Sequence, residues 1–80
     1  MKVAVHLMAT LGAYLPPGAR GDRVVLDVPA GTTVDQVVDS LRIPPELERL
    51  TVVNGHDVGP GQVLAEGDVL SLFPPLSGGR

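Results

Sequence analysis

Only one stretch of this 80-residue chain carries a helical period, which limits the folds open to it. Val34, Val37, Val38 and Leu41 recur at i, i+3, i+4 and i+7, one apolar face of a helix. Thr33-Val34-Asp35-Gln36 spells a capping box, in which the Thr33 hydroxyl accepts from the Gln36 N–H and the Gln36 side chain reaches back. Asp35 and Asp39 fall on the polar side, and Asp35 also suits the positive N-terminal end of the helix. Pro44-Pro45 is expected to stop the helix, because neither residue can donate a backbone hydrogen bond. One short amphipathic helix must bury its stripe on another layer, and the rest of the sequence offers strands.

Residues 2–8 alternate Lys2, Ala4, His6 and Met8 against Val3, Val5 and Leu7, the period of a half-buried strand. From Thr10 to Gly21 the turn formers Pro16-Pro17-Gly18 and Gly21-Asp22 predict a loop, with Tyr14 and Leu15 folding back over an edge of the core. Arg23–Val28 reads as a second strand, stopped by Pro29 and paired antiparallel with the first. Beyond the helix, a single helical turn is expected at Glu46–Arg49 and a third strand at Leu50–Val53, turned by Asn54-Gly55. A brief edge strand is expected at Gln62–Leu64, a turn at Glu66-Gly67-Asp68, and a last strand at Val69–Phe73. Pro74-Pro75 closes that strand, since a paired strand does not tolerate two missing donors. Strands grouped around one helix predict an α+β domain burying Val3, Val5, Leu7, Val24, Leu26, Val28, Val34, Val37, Leu41, Leu70 and Leu72, with the other sheet face in water.

Composition closes off several functions. There is no cysteine, so the chain has no disulfide, thiolate nucleophile or Cys-ligated zinc. Six scattered Lys and Arg residues in a chain of net charge −3 make no nucleic-acid surface. No apolar run reaches membrane-spanning length, and the start lacks a signal peptide's apolar centre, so no membrane association is expected and the cytoplasm is the expected location. His6 and His56 lack a third ligand, so no metal site is expected. Gly55–Gly61 is glycine-rich without a following helix and cannot cradle phosphate. Arg20-Gly21-Asp22 spells an adhesion tripeptide by chance. Nothing forms a set of nucleophile, base and orienting group, so the chain alone is expected to have no turnover.

The run Phe73-Pro74-Pro75-Leu76-Ser77-Gly78-Gly79 resembles the C-terminal end of the molybdopterin synthase small subunit. That subunit belongs to the ubiquitin-like β-grasp sulfur carriers, which include the thiamin sulfur carrier type. Val53-Asn54-Gly55 and Glu66-Gly67-Asp68-Val69 also resemble family sequences, and the element order matches over essentially the whole chain. The resemblance implies a β-grasp domain over residues 1–75, a mixed four- to five-stranded sheet covered on one face by one helix, with a flexible Gly-Gly tail over residues 76–80. It further implies that a ubiquitin-activating-type partner adenylates Gly79 with ATP, and that sulfide from a persulfide donor displaces AMP to leave a thiocarboxylate. The chain itself would bind no cofactor. The sulfur acceptor would be a pterin precursor inside a larger catalytic subunit, or some other acceptor. The length and the Phe-Pro-Pro stretch favour the molybdopterin branch.

Gly78 and Gly79 suit a tail that threads another protein's active site, because glycine has no Cβ to collide with the walls. Pro74-Pro75 stiffens the exit. Phe73, Pro74, Pro75, Leu76, Met8 and His6 are the expected partner contacts: strand parity turns Phe73, His6 and Met8 outward. If the first and last strands are neighbours, as the β-grasp resemblance implies, Phe73, Met8, Ala4 and Val52 form an apolar patch beside the tail. Arg80 departs from the family pattern, since the active carrier ends on the second glycine. Either a peptidase removes it, or it is a cloning remnant, or the carrier role has been lost; removal is the reading preferred. A protein modifier joined through Gly79 to target lysines, or an inert β-grasp interaction module, are the alternatives.

Overall fold

The computed structural model describes residues 1–75; the tail expected at 76–80 lies outside the described residues. Its elements are β1 (Lys2–Leu7), a 3-10 helix (Ala9–Tyr14), β2 (Arg23–Asp27), α1 (Val34–Ser40), β3 (Leu50–Val53), β4 (His56–Asp57) and β5 (Val69–Phe73). They form one mixed five-stranded sheet in the order β2-β1-β5-β3-β4. β5 lies in the middle, parallel to β1 and antiparallel to β3, so the first and last strands of the domain are neighbours.

The two-residue period decides the layers. Val3, Val5 and Leu7 of β1 and Leu70 and Leu72 of β5 turn to one face and are buried there with Val34, Val37 and Val38 of α1. Burying each such side chain contributes about 1.5–3 kcal/mol. The capping box at Thr33 forms as expected: Gln36 N–H donates to Thr33 Oγ1 at 3.3 Å, and Thr33 N–H donates to Gln36 Oε1 at 2.9 Å.

Several local expectations are corrected. The stretch after β1 is a 3-10 helix rather than a plain loop, and its Leu11 enters the core. Tyr14 and Leu15 do pack against the core from its edge. β2 ends at Asp27, one residue early, and Leu26 and Val28, on the strand at the edge of the sheet, are half-buried against the core rather than within it. Val38, Ile43, Val53 and Leu64 join the core instead.

The prolines do not end α1. Its C-cap is Leu41, and Arg42 takes the left-handed conformation at φ 64°. Ile43 N–H then donates to Val38 C=O at 3.3 Å and Arg42 N–H to Asp39 C=O at 3.0 Å, the two bonds of a Schellman motif. The turn expected at Glu46–Arg49 sits earlier, closed by Leu47 N–H donating to Pro44 C=O at 3.0 Å. Gln62–Leu64 is not a strand; it makes a single bridge, Val63 to Thr33, and the fifth strand is His56–Asp57. Asn54 and Gly55, both at positive φ (52° and 85°), form the tight loop that returns β4 onto β3.

Candidate functional site

The middle strand carries the site, because β5 ends at Phe73 in the centre of the sheet and runs directly into Pro74 and Pro75, the last described residues. β5 is held on both sides. Val5 pairs with Leu70 and Leu7 with Leu72 on the β1 side, while Leu50 pairs with Phe73 and Val53 with Leu70 on the β3 side. Met8 lies one residue past β1, yet its N–H still donates to Leu72 C=O at 3.0 Å, which brings Met8 alongside Phe73.

The start of β5 is fixed by a polar latch. Asn54 Nδ2 donates to Asp68 Oδ1 at 2.9 Å, and its Oδ1 accepts from Val69 N–H at 2.9 Å. Asn54 N–H donates to Val69 C=O at 2.9 Å, and Asp68 Oδ2 accepts from Ala65 N–H at 2.8 Å. On the other side Gly67 N–H donates to Lys2 C=O at 2.8 Å, and Lys2 N–H donates to Glu66 Oε1 at 3.0 Å. The turn at Glu66-Gly67-Asp68 is therefore tied to β1 and to the β3–β4 turn at once, which sets the register of β5 and the place where it ends.

With Leu70 and Leu72 fully buried, parity turns Val69, Ser71 and Phe73 to the open face. The same register places Ala4, His6, Leu50 and Val52 there. Of the residues expected to contact partners, His6, Met8, Phe73, Pro74 and Pro75 are half-buried on this face or at its tail end. Leu76, Gly78, Gly79 and Arg80 lie outside the described residues. The reading of the sequence missed two members of the face, Val25 (59% exposed) and Leu50 (53% exposed). Parity within β2 was signal enough for Val25. Parity within β3 was signal enough for Leu50 too, two residues before the outward Val52; only its place opposite Phe73 depends on which strand borders β5.

The electrostatics of the face are simple. At the β2 end Asp27 meets the N-terminal ammonium at 3.4 Å and Lys2 Nζ at 3.5 Å. The hydrogen bond from the ammonium, and then the Lys2 charge, hold the Asp27 carboxyl below the usual carboxylate range. His56, expected in an exposed turn, is exposed but belongs to β4. Among the described residues no group of three His, Cys, Asp or Glu side chains is placed to hold a metal ion. No helix among them is long and apolar enough to cross a membrane. The geometry thus presents a half-apolar sheet face beside the end of β5.

Similar proteins bear on that arrangement. Small archaeal modifier protein 1 of Haloferax volcanii superposes with a TM-score of 0.75 at 29% identity, over 99% of this chain and all of that one. A putative molybdopterin converting factor subunit 1 from Pyrococcus furiosus gives 0.72 at 22% identity, over 94% of this chain and 98% of that one. Subunits 1 and 2 of the molybdopterin-converting factor of Helicobacter pylori form a complex, and the matching chain in it gives 0.62 at 20% identity over 99% of this chain and all of that one. At these lower identities the likeness shows the fold, a ubiquitin-like β-grasp. No curated protein matches the chain. The model of the ThiS family matches residues 17–79, most of the domain together with Gly78 and Gly79. The chain belongs to the ThiS family of ubiquitin-like sulfur carriers.

Proposed function

We propose that this carrier holds its sulfur as a thiocarboxylate on Gly79 and hands it to an acceptor in cofactor biosynthesis, of the molybdopterin type. The observation that carries the reading is the extent of the family match, which runs through Gly79 and leaves Arg80 outside. Removal of Arg80 by a peptidase comes first, since adenylation needs the carboxylate of Gly79. A ubiquitin-activating-type enzyme then joins that carboxylate to the α-phosphate of ATP and releases pyrophosphate. Sulfide equivalents from a persulfide donor, with a thiol as reductant, attack the acyl carbon and expel AMP. The chain supplies the tethered nucleophile, and the partner supplies the catalytic groups.

The face beside the exit of β5 supports docking. Phe73, Pro74, Pro75, Met8 and His6 are positioned to contact a partner that grips Leu76 and the glycines. A larger catalytic subunit would bind there after the activating enzyme has left; the two-subunit complex among the structural neighbours supports a partner of that kind.

The likeness to small archaeal modifier protein 1 favours a second reading, conjugation of Gly79 to target lysines. Both routes share the adenylate. Intact mass spectrometry of the protein from its native host separates them. Loss of Arg80 with one oxygen replaced by sulfur supports the carrier, and Gly79 in isopeptide linkage supports the modifier. Arg80 retained in every preparation, with no adduct, overturns both.

A further inference from the structure

The open face is not evenly apolar. The register lines up Arg23, His6, Ser71, Val52 and Asp57 in one row across all five strands: His6 stands opposite Arg23 and Ser71, and Val52 opposite Ser71 and Asp57. Apolar ridges flank this row. Val25, Ala4 and Val69 form one, through the pairs Ala4–Val25 and Ala4–Val69. Met8, Phe73 and Leu50 form the other. Met1 and Val28 exchange both backbone hydrogen bonds, so by alternation His6 and Arg23 are a non-bonded cross-strand pair with Cα atoms about 4.5 Å apart. Their side chains stand side by side.

The charges of the face are separated. Lys2 and the N-terminal ammonium, at the β2 end, are taken by Asp27. Among the described residues Arg23 has no ion pair. Asp57 lies four strand spacings away, about 19 Å. A purely apolar partner closing over both ridges would strand the Arg23 guanidinium, desolvated and unpaired, in a dry interface. A partner that brings a carboxylate converts that cost into a charge-assisted, bidentate hydrogen bond.

We infer that the row selects a protein partner presenting an acidic side chain between two apolar contacts, with the carboxylate on Arg23 and His6 and Ser71 beside it. This deepens the carrier reading and rests on it, since the partner is the enzyme that takes the tail. A second copy of the chain is the competitor: packed face to face about β5, it would lay Asp57 over Arg23. The face alone covers only about 300 Å² (about 20 by 15 Å). A stable interface needs about 800 Å² per partner. A partner that also encloses the tail makes up the difference, and a second copy does not.

The test titrates the adenylating enzyme of the source organism with the chain ending at Gly79, as wild type, Arg23→Glu and Arg23→Gln. Binding is read as Kd and activation as pyrophosphate exchange. The inference expects Arg23→Glu to weaken binding at least about tenfold and Arg23→Gln by less. It also expects a raised KM for the carrier at unchanged kcat, a shallower salt dependence than wild type, and an unchanged Tm. Weakening of less than tenfold for Arg23→Glu, with wild type bound and adenylated, overturns the inference and leaves the carrier reading standing. No binding or exchange by the wild type overturns both. Wild type that sediments as a dimer and Arg23→Glu as a monomer would assign the face to a second copy and overturn the inference.

Discussion

Asn54 and Asp68, fourteen residues apart, are joined by a 2.9 Å hydrogen bond from the amide Nδ2 to the carboxylate Oδ1. The bond closes the β3–β4 turn onto the turn that launches β5. Asn54 can serve because it tolerates the left-handed conformation its turn requires while still offering both a donor and an acceptor. Two turns that lie apart in sequence thereby set the end point of the strand that leads to the tail.

Replacing that amide tests the latch. Asn54→Asp keeps the shape and the acceptor for Val69 N–H, but sets a carboxylate against Asp68. The expected loss is about 1–2 kcal/mol at neutral pH, seen as a lower urea midpoint at unchanged slope. Lowering the pH into the carboxylate range should recover part of it. An unchanged midpoint would mean that the latch contributes nothing.

Arg42 occupies a position where the backbone favours glycine. A non-glycine residue in the left-handed region costs about 1–2 kcal/mol, while glycine adds unfolded-state entropy of about 0.5–1 kcal/mol. Arg42→Gly is therefore expected to stabilise the domain by about 0.5–1 kcal/mol, and Arg42→Ala is not. Thermal unfolding of the two variants checks the sign.

Asp27 gives a pH dependence whose sign follows from its partners. Its folded pKa is depressed, first by the hydrogen bond from the N-terminal ammonium and then by Lys2. Its contribution is present above the unfolded carboxylate pKa of about 3.9, and is lost as pH falls through the lower folded value. Asp27→Asn should be slightly less stable than wild type at neutral pH, with the difference vanishing at the acid end. Because the pair is exposed, added salt should shrink the difference too.

Deleting Gly78 and Gly79 together with Arg80 should abolish adenylation and leave Tm unchanged. A domain of this size shifts by about 4–8 °C per kcal/mol, so a fall of several degrees would mean that the tail belongs to the fold. Differential scanning calorimetry and pyrophosphate exchange on the same preparations decide it.

Much of the domain was legible because its signals are local. The capping box needs only Thr33 and Gln36, and the alternation in residues 2–7 names the buried side of β1 without reference to any other strand. Failures cluster where a distant contact overrode local pattern. Pro44-Pro45 looked like the end of the helix, yet Ile43 had already pulled the chain into the core through its bond to Val38. Gln62–Leu64 looked like an edge strand, but Leu64 is drawn inward and its N–H bonds Thr32. His56–Asp57 carries no strand signal in two polar residues, and it pairs because the Asn54-Gly55 turn points it back along β3.

By itself the sequence determined the one α-helix and its cap, the faces that the strands bury, the absence of thiol chemistry, and the Gly78-Gly79 pair after two prolines. Each of these depends on residues a few positions apart, whose spacing dictates direction and chemistry. Only the tertiary structure decided that β5 lies between β1 and β3, that Leu50 and Met8 flank Phe73, and that Arg23, His6, Ser71 and Asp57 share one row. Neighbours across a sheet are chosen by closing the whole chain around a common core, and no short run of residues holds that information.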